Sequence, residues 1–260
     1  MKTNSNIEEI QKSFGEQAAG FESNQYHLSK AEYQEYMVQK AQPGKADRIL
    51  EVAAGTCICG RAFAPHVAHV TCLDATPEML QIGKEEAEKK NLFNMTFVTG
   101  NAEKLPFLDN SFDLVMSRLA FHHFVNPKEI FSEMKRVLKS GGKLLLMDMT
   151  VGDEAVRDEV DRIERMRDFS HVRDLTLGEM QKLYAENNMQ LEIQEQIHIP
   201  VSLQGWMDFT NTSEDKQQEI RQLMERDMAG EINTGFSPYR KENQIYFNHH
   251  WVLNLGKKGE

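Results

Sequence analysis

Ile49-Leu50-Glu51-Val52-Ala53-Ala54-Gly55-Thr56, followed after a short helical stretch by Val70-Thr71-Cys72-Leu73-Asp74, decides the fold. Two short apolar runs flank a break at glycine, and a carboxylate closes the second run. The pattern reads as strand, tight turn, helix, strand. In an open parallel sheet, ligands settle outside the carboxyl ends of the strands. A turn glycine there lets the backbone approach, and an acid about 20 residues later accepts hydrogen bonds from ribose hydroxyls. Gly55 and Asp74 stand in that relation and point to an adenosine-type cofactor. A turn glycine and a strand-end acid also have a purely structural reading, so the rest of the chain has to decide.

The same period continues downstream. Met95-Thr96-Phe97-Val98-Thr99 reads as a third strand and Phe112-Asp113-Leu114-Val115-Met116-Ser117 as a fourth. A helix then opens at Pro127, carries Ile130, Phe131, Met134, Val137 and Leu138 on one face, and is expected to stop at Gly141-Gly142. Lys143-Leu144-Leu145-Leu146-Met147 supplies a fifth strand, apolar enough to be covered on both faces. Strands alternating with helices predict an α/β, doubly wound, mostly parallel sheet.

Five blocks now stand in register: Glu51-x-x-x-Gly55-Thr56, Asp74-x-Thr76-x-x-Met79-Leu80, Gly100-Asn101-Ala102-Glu103-x-Leu105-Pro106-Phe107, Ser111-Phe112-Asp113-x-Val115 and Leu138-Lys139-x-Gly141-Gly142. In order and spacing they resemble the class I S-adenosylmethionine-dependent methyltransferases, in particular the UbiE-like branch with its YcgJ-type members. The resemblance is strong from Phe14 to Met149 and looser through Arg165–Arg173. It implies a Rossmann-like, seven-stranded sheet whose last strand is antiparallel, an N-terminal helical lid and a C-terminal elaboration. The expected organisation is residues 1–44 as lid, 45–150 as cofactor-binding core, and 151–260 as substrate-side helices and last strands of the same domain.

Composition agrees with that class. The chain of 260 residues can bury a sizeable core, and its net charge of -10 argues against a general nucleic-acid binder. No stretch reaches the about 20 apolar residues of a membrane span, and Met1-Lys2-Thr3-Asn4 lacks a signal-peptide core, so a cytoplasmic protein is expected. Cys57, Cys59 and Cys72 are too few for a four-thiolate site and lack a suitably spaced histidine; no metal is expected. Oligomeric state is not legible.

Outside the core, Ile7, Ile10, Phe14, Ala18 and Phe21 recur at helical spacing, and Ala31, Tyr33, Tyr36 and Met37 mark a second helix. Val156, Val160 and Ile163 mark another, and Thr176-Leu177-Gly178-Glu179 is a capping box flanked by Leu175 and Met180. Leu191 to Val201 is strand-like, Ser213 to Met228 a surface helix, and Gln244 to Leu255 a final strand.

The resemblance assigns roles residue by residue. Glu51 orients the cofactor's amino group, Ala53 and Gly55 form the turn against its methionine portion, and Asp74 with Ala75 receives the ribose. Met79 packs on the adenine, Asn101 and Ala102 meet its edge, and Ser117 and Arg118 lie beneath the methyl donor. Phe14, Gly15 and Phe21 are candidates for the cover. Family members usually carry glycine where this chain has Ala53, and often at Cys57. A positive φ at residue 57 would cost about 1 kcal/mol, and its thiol is expected to crowd the pocket.

The implied chemistry uses S-adenosylmethionine, releases S-adenosylhomocysteine, and methylates a small-molecule acceptor by in-line displacement, in which alignment supplies much of the acceleration. A base is needed where the acceptor begins protonated, and His122, His123 and His171 are the candidates. Arg167, His171 and Arg173 read equally as a pocket wall or as a solvated ion-paired helix end. Trp206, His249, His250 and Trp251 read as a hydrophobic wall or as core. Two other functions stay open: an NAD(P)-type oxidoreductase, from Gly55-x-Cys57-x-x-Gly60 before Asp74, and a cofactor-binding protein without turnover, from Ala53 and Cys57.

Overall fold

The computed structural model describes residues 6–18, 22 and 30–259. Five parallel strands, β1 (Arg48–Val52), β2 (His69–Asp74), β3 (Met95–Thr99), β4 (Phe112–Arg118) and β5 (Leu138–Met149), build the sheet in the order β3-β2-β1-β4-β5. It then continues through β8 (Gln244–Lys258) to β6 (Met189–Ser202), with β8 antiparallel to both neighbours. The order reverses direction at β1 and β4, so the carboxyl ends of β1, β2 and β4 open onto one crevice. Among the described residues the sheet has eight strands instead of seven, because β7 (Tyr239–Lys241) folds onto β8. Glu242 and Asn243 both take positive φ, 50° and 63°, as a two-residue hairpin turn requires.

Strand alternation divides the core between the two faces. Leu50, Val52, Val115, Leu144 and Leu146 pack on α5 (Pro127–Val137) and α7 (Leu177–Glu186). Ile49, Leu114, Met116, Leu145 and Met147 point the other way, towards α2 (Ala31–Ala41), α3 (Ile58–Phe63) and α6 (Arg157–Arg167). Both faces are therefore covered, as the unbroken apolar strands require. The helix α1 (Ile7–Gln17) lies across the carboxyl end of the sheet, α4 (Pro77–Lys89) follows β2, and α9 (Glu214–Met228) packs against α6.

Some local expectations need correction. Helix α5 ends at Val137, before Gly141-Gly142, and the chain enters β5 directly. The glycines instead serve a register irregularity: Gly141 has φ 73°, and a Cβ on Gly142 would lie 2.9 Å from the Asp113 carbonyl oxygen of β4. The capping box of α7 forms as read: Glu179 N–H donates to Thr176 Oγ1 (3.1 Å) and Thr176 N–H to the Glu179 carboxylate (2.9 Å). The helix α8 (Leu203–Phe209), capped by Ser202, was not anticipated.

Gly256 of β8 permits the fully buried Tyr184 ring to lie against the sheet, since a Cβ there would meet Tyr184 Cδ1 at 2.4 Å and the Gln190 carbonyl oxygen at 3.0 Å. Gly256→Ala is expected to destabilise the fold by about 1 to 3 kcal/mol through overpacking, read as a lower urea midpoint at unchanged m-value.

Candidate active site

The link from β1 to α3 is a left-handed turn. Ala53, Gly55 and Cys57 have φ of 53°, 52° and 59°, so two side-chain-bearing residues hold a conformation that glycine adopts freely. A Cβ on Gly55 would meet only Met79 Cε, at an ordinary 3.6 Å, so within the chain itself the left-handed φ is what favours glycine there. Cys57 does not crowd the cleft. Its buried thiol lies beside α4 in the space left by Gly83, where a Cβ would come within 2.8 Å of Cys57 Sγ.

This turn brings two carboxylates to one cleft, whose cavity volume is about 160 Å³. Glu51, at the end of β1, is buried, and its Oε2 accepts from Gly60 N–H at 2.8 Å. Burial pushes its carboxyl up to about 7, against the opposing pull of Gly60 N–H, Cys72, Arg61 and Arg118. Asp74, at the end of β2, accepts from Gly55 N–H (2.7 Å) on one oxygen and from Thr76 N–H (2.8 Å) on the other. Burial raises its pKa also, and those backbone donors resist the rise. Each carboxylate oxygen has a second lone pair, so neither acid is exhausted as an acceptor.

Ala53, Ala75, Met79, Asn101 and Ala102 line the same cleft, as do Phe14 and Arg118. Asn101 Oδ1 accepts from Glu103 N–H at 2.9 Å, which shapes the loop after β3. Ser117 is buried and does not line the cleft; Phe21 lies outside the described residues. From α1, Asn6, Ile7, Ile10 and Phe14 form the opposite wall. The helix is tied at both ends of the cleft: Gln11 donates to the Ala75 carbonyl (2.7 Å), Asn6 to the His123 carbonyl (2.9 Å), and the Phe14 ring sits edge-on to His123 at 5.0 Å.

The far end of the cleft is rich in imidazole and guanidinium. His122, His123, Arg118, Arg167, Asp168 and His249 all face it. Arg118 lies over the Trp251 ring and Arg167 over Trp206, at 5.0 and 4.8 Å, so the buried tryptophans are core residues that carry the cleft's cations. Arg167 also pairs with Glu164 at 3.0 Å. His122 Nδ1 lies 2.6 Å from Asp148 Oδ1. His123 Nδ1 contacts both the carbonyl and the hydroxyl of Ser170 at 3.1 Å, and burial together with the neighbouring His122 charge pushes its pKa down to about 3.

Two expected residues are elsewhere. His171 is buried behind the wall, its Nε2 2.8 Å from Asp161 Oδ1, and does not line the cleft. Arg173 is exposed, pairs with Glu179 at 3.0 Å, and does not line the cleft. Asp161, His171 and Asp174 bring one ligand-type atom each within 4.8 Å of the others, away from the cysteines, which are free and buried. Sequence reasoning missed Asp148. The signal was present, because Met147-Asp148-Met149 is an acid closing an apolar parallel strand, the same feature that marked Asp74.

The family then follows from comparison. A model described as a methyltransferase domain matches residues 50–146. The chain is 34% identical over 185 residues to the methyltransferase YcgJ of Bacillus subtilis, covering 71% of this chain and 73% of that one. The crystal structure of YcgJ superposes with a TM-score of 0.82 at 29% identity, over 89% of this chain and 100% of that one. Demethylmenaquinone methyltransferase of Listeria monocytogenes is 36% identical over 107 residues, 40% of this chain and 45% of its own. These matches set aside the oxidoreductase reading, whose middle glycine is here Cys57. The chain belongs to the class I S-adenosylmethionine-dependent methyltransferases, in their UbiE-like, YcgJ-type branch.

Proposed function

We infer that this methyltransferase binds S-adenosylmethionine between Glu51 and Asp74 and methylates a small-molecule acceptor at the imidazole-rich end of the same cleft. The observation that carries this reading is the placement of two buried strand-end carboxylates across one left-handed turn, both facing the cleft. Standing on neighbouring parallel strands at one cleft, they suit the two polar ends of an aminoacyl nucleoside. Asp74 retains acceptor capacity for a ribose diol, and Glu51 is an anionic partner for an ammonium. Met79 and Leu73 offer apolar contact to a base, with Asn101 and Ala102 at its edge. Bound there, the cofactor supplies an electrophilic methyl on a sulfonium, and the C–S electron pair stays on sulfur as the methyl leaves.

The other end supports an acceptor site. Arg118 and Arg167 are held on tryptophan faces, with His122 and His123 beside them, so a polar acceptor meets oriented donors instead of water. In this reading residues 1–44 act as the cover, through the ties of α1 to Ala75 and His123, residues 45–150 hold the cofactor, and residues 151–260 shape the acceptor side. The described residues contain no helix long and apolar enough to cross a membrane.

Isothermal titration of the protein with S-adenosylhomocysteine is expected to show saturable binding; no heat at millimolar ligand would contradict the reading. Asp74→Ala is expected to weaken that binding by about 1.5 to 3 kcal/mol, roughly ten- to 150-fold in Kd. Because Glu51 takes up a proton as pH falls through about 7, it loses its charge for the ammonium on the acid side. The Kd is therefore expected to rise about tenfold from pH 8 to pH 6, and Glu51→Gln to bind weakly at both pH values with that dependence gone.

A further inference from the structure

Asp148 closes β5 and is buried, yet it lies outside every block that carried the family resemblance. Its Oδ2 accepts from Ala120 N–H (3.0 Å) and Phe121 N–H (2.6 Å), and its Oδ1 from Met149 N–H (2.7 Å). Oδ1 also meets His122 Nδ1 at 2.6 Å. A carboxylate with backbone donors on both oxygens cannot swing, so it fixes the position of the imidazole that it touches. The main chain of His122 is anchored as well: Val172 and Arg173 N–H both donate to its carbonyl, at 2.9 and 3.0 Å.

The geometry points to Asp148 as the positioning residue that makes His122 the proton acceptor of the cleft, with Nδ1–H on the carboxylate and the Nε2 lone pair left for the acceptor. This rests on the methyl-transfer reading of the same site and names its acceptor class: a nucleophile that arrives carrying a proton, such as a hydroxyl, rather than a thioether or tertiary amine. In the step, the acceptor lone pair forms the new X–C bond while the C–S pair stays on sulfur. The pair of the X–H bond returns to X as its proton passes to His122 Nε2, and later to solvent.

The neighbours support His122 over the other candidates. Burial alone would lower its pKa, but the charge and hydrogen bond of Asp148 outweigh it and raise the value, with Asp174 of the following loop and Glu164 of α6 adding in the same sense. His123 beside it, His171 stacked at 5.7 Å and His249 of β8 are the remaining imidazoles nearby. His123 is too weakly basic at about 3, and His171 does not reach the cleft. Asp148 itself is held below the usual carboxylate range: burial opposes this, but the His122 charge and hydrogen bond prevail, so the acid stays ionised.

The test is a long-range ¹H–¹⁵N spectrum of the uniformly labelled protein saturated with S-adenosylhomocysteine, from pH 5 to 9. His122 is expected to titrate above 6.5, with Nδ1 protonated and Nε2 bare on the basic side. Asp148→Asn should lower that midpoint by at least about one pH unit. Addition of 4-cresol should shift the Nε2 resonance, while its methyl ether should not. A bare Nδ1, a midpoint below 6.5, an Asp148→Asn spectrum unchanged from wild type, or an Nε2 indifferent to 4-cresol would each overturn the proposal. Should Asp148→Asn fail to fold, the wild-type tautomer and cresol response decide alone. Calorimetry on the same sample separates the two levels, since failure to bind S-adenosylhomocysteine would sink the cofactor reading whatever tautomer His122 adopts.

Discussion

The site depends on one constraint: two carboxylates must be buried at the ends of neighbouring parallel strands while keeping acceptor capacity towards the cleft. The chain meets it with backbone. Asp74 takes the N–H groups of Gly55 and Thr76, and Glu51 takes that of Gly60, so main-chain dipoles stabilise both acids while leaving acceptor capacity towards the cleft. Gly60 is needed for this close approach, because a Cβ there would lie 2.7 Å from Glu51 Oε2. Delivering the Gly55 amide requires the left-handed turn, which explains why Ala53 and Cys57 tolerate positive φ. The strain at Cys57 is accommodated by placing its thiol over Gly83, away from the ligand side.

A second set of charges gathers around the imidazole-rich end of the cleft. Asp148 of β5, Asp161 and Glu164 of α6, and Asp168 and Asp174 of the loop that carries His171 are all buried. Buried ion pairs add little net stability, since desolvation consumes most of the attraction, but they hold groups in fixed directions. Here they position the loop whose amides grip the His122 carbonyl, and burial pushes Asp174 up to about 7. Rigid second-layer support of this kind is what a site needs when alignment does much of the work.

The five parallel strands and the two buried acids that close β1 and β2 were legible because periodicity and strand-end position leave a local record. Met95–Thr99 is the third strand in sequence and in structure alike, and the capping box at Thr176 marks the start of α7 without ambiguity. Features that depend on what comes from far along the chain were not. Whether His171 or His122 reaches the cleft is settled by how α6 and the following loop pack, and nothing local to either histidine records it. Asp148 was hidden because a single acid in an apolar strand looks like any strand end until the amides of Ala120 and Phe121 are seen to converge on it. The stop read at Gly141-Gly142 failed because those glycines answer to β4, through the Asp113 carbonyl, instead of ending a helix.

The most direct measurement is a crystal structure of the protein grown with S-adenosylhomocysteine. The account predicts both ribose hydroxyls within about 3 Å of the Asp74 carboxylate, the amino group on the Glu51 side of the Gly55 turn, and the sulfur facing His122. A nucleoside bound with its ribose away from Asp74, or a cleft that α1 keeps filled at saturating ligand, would contradict it.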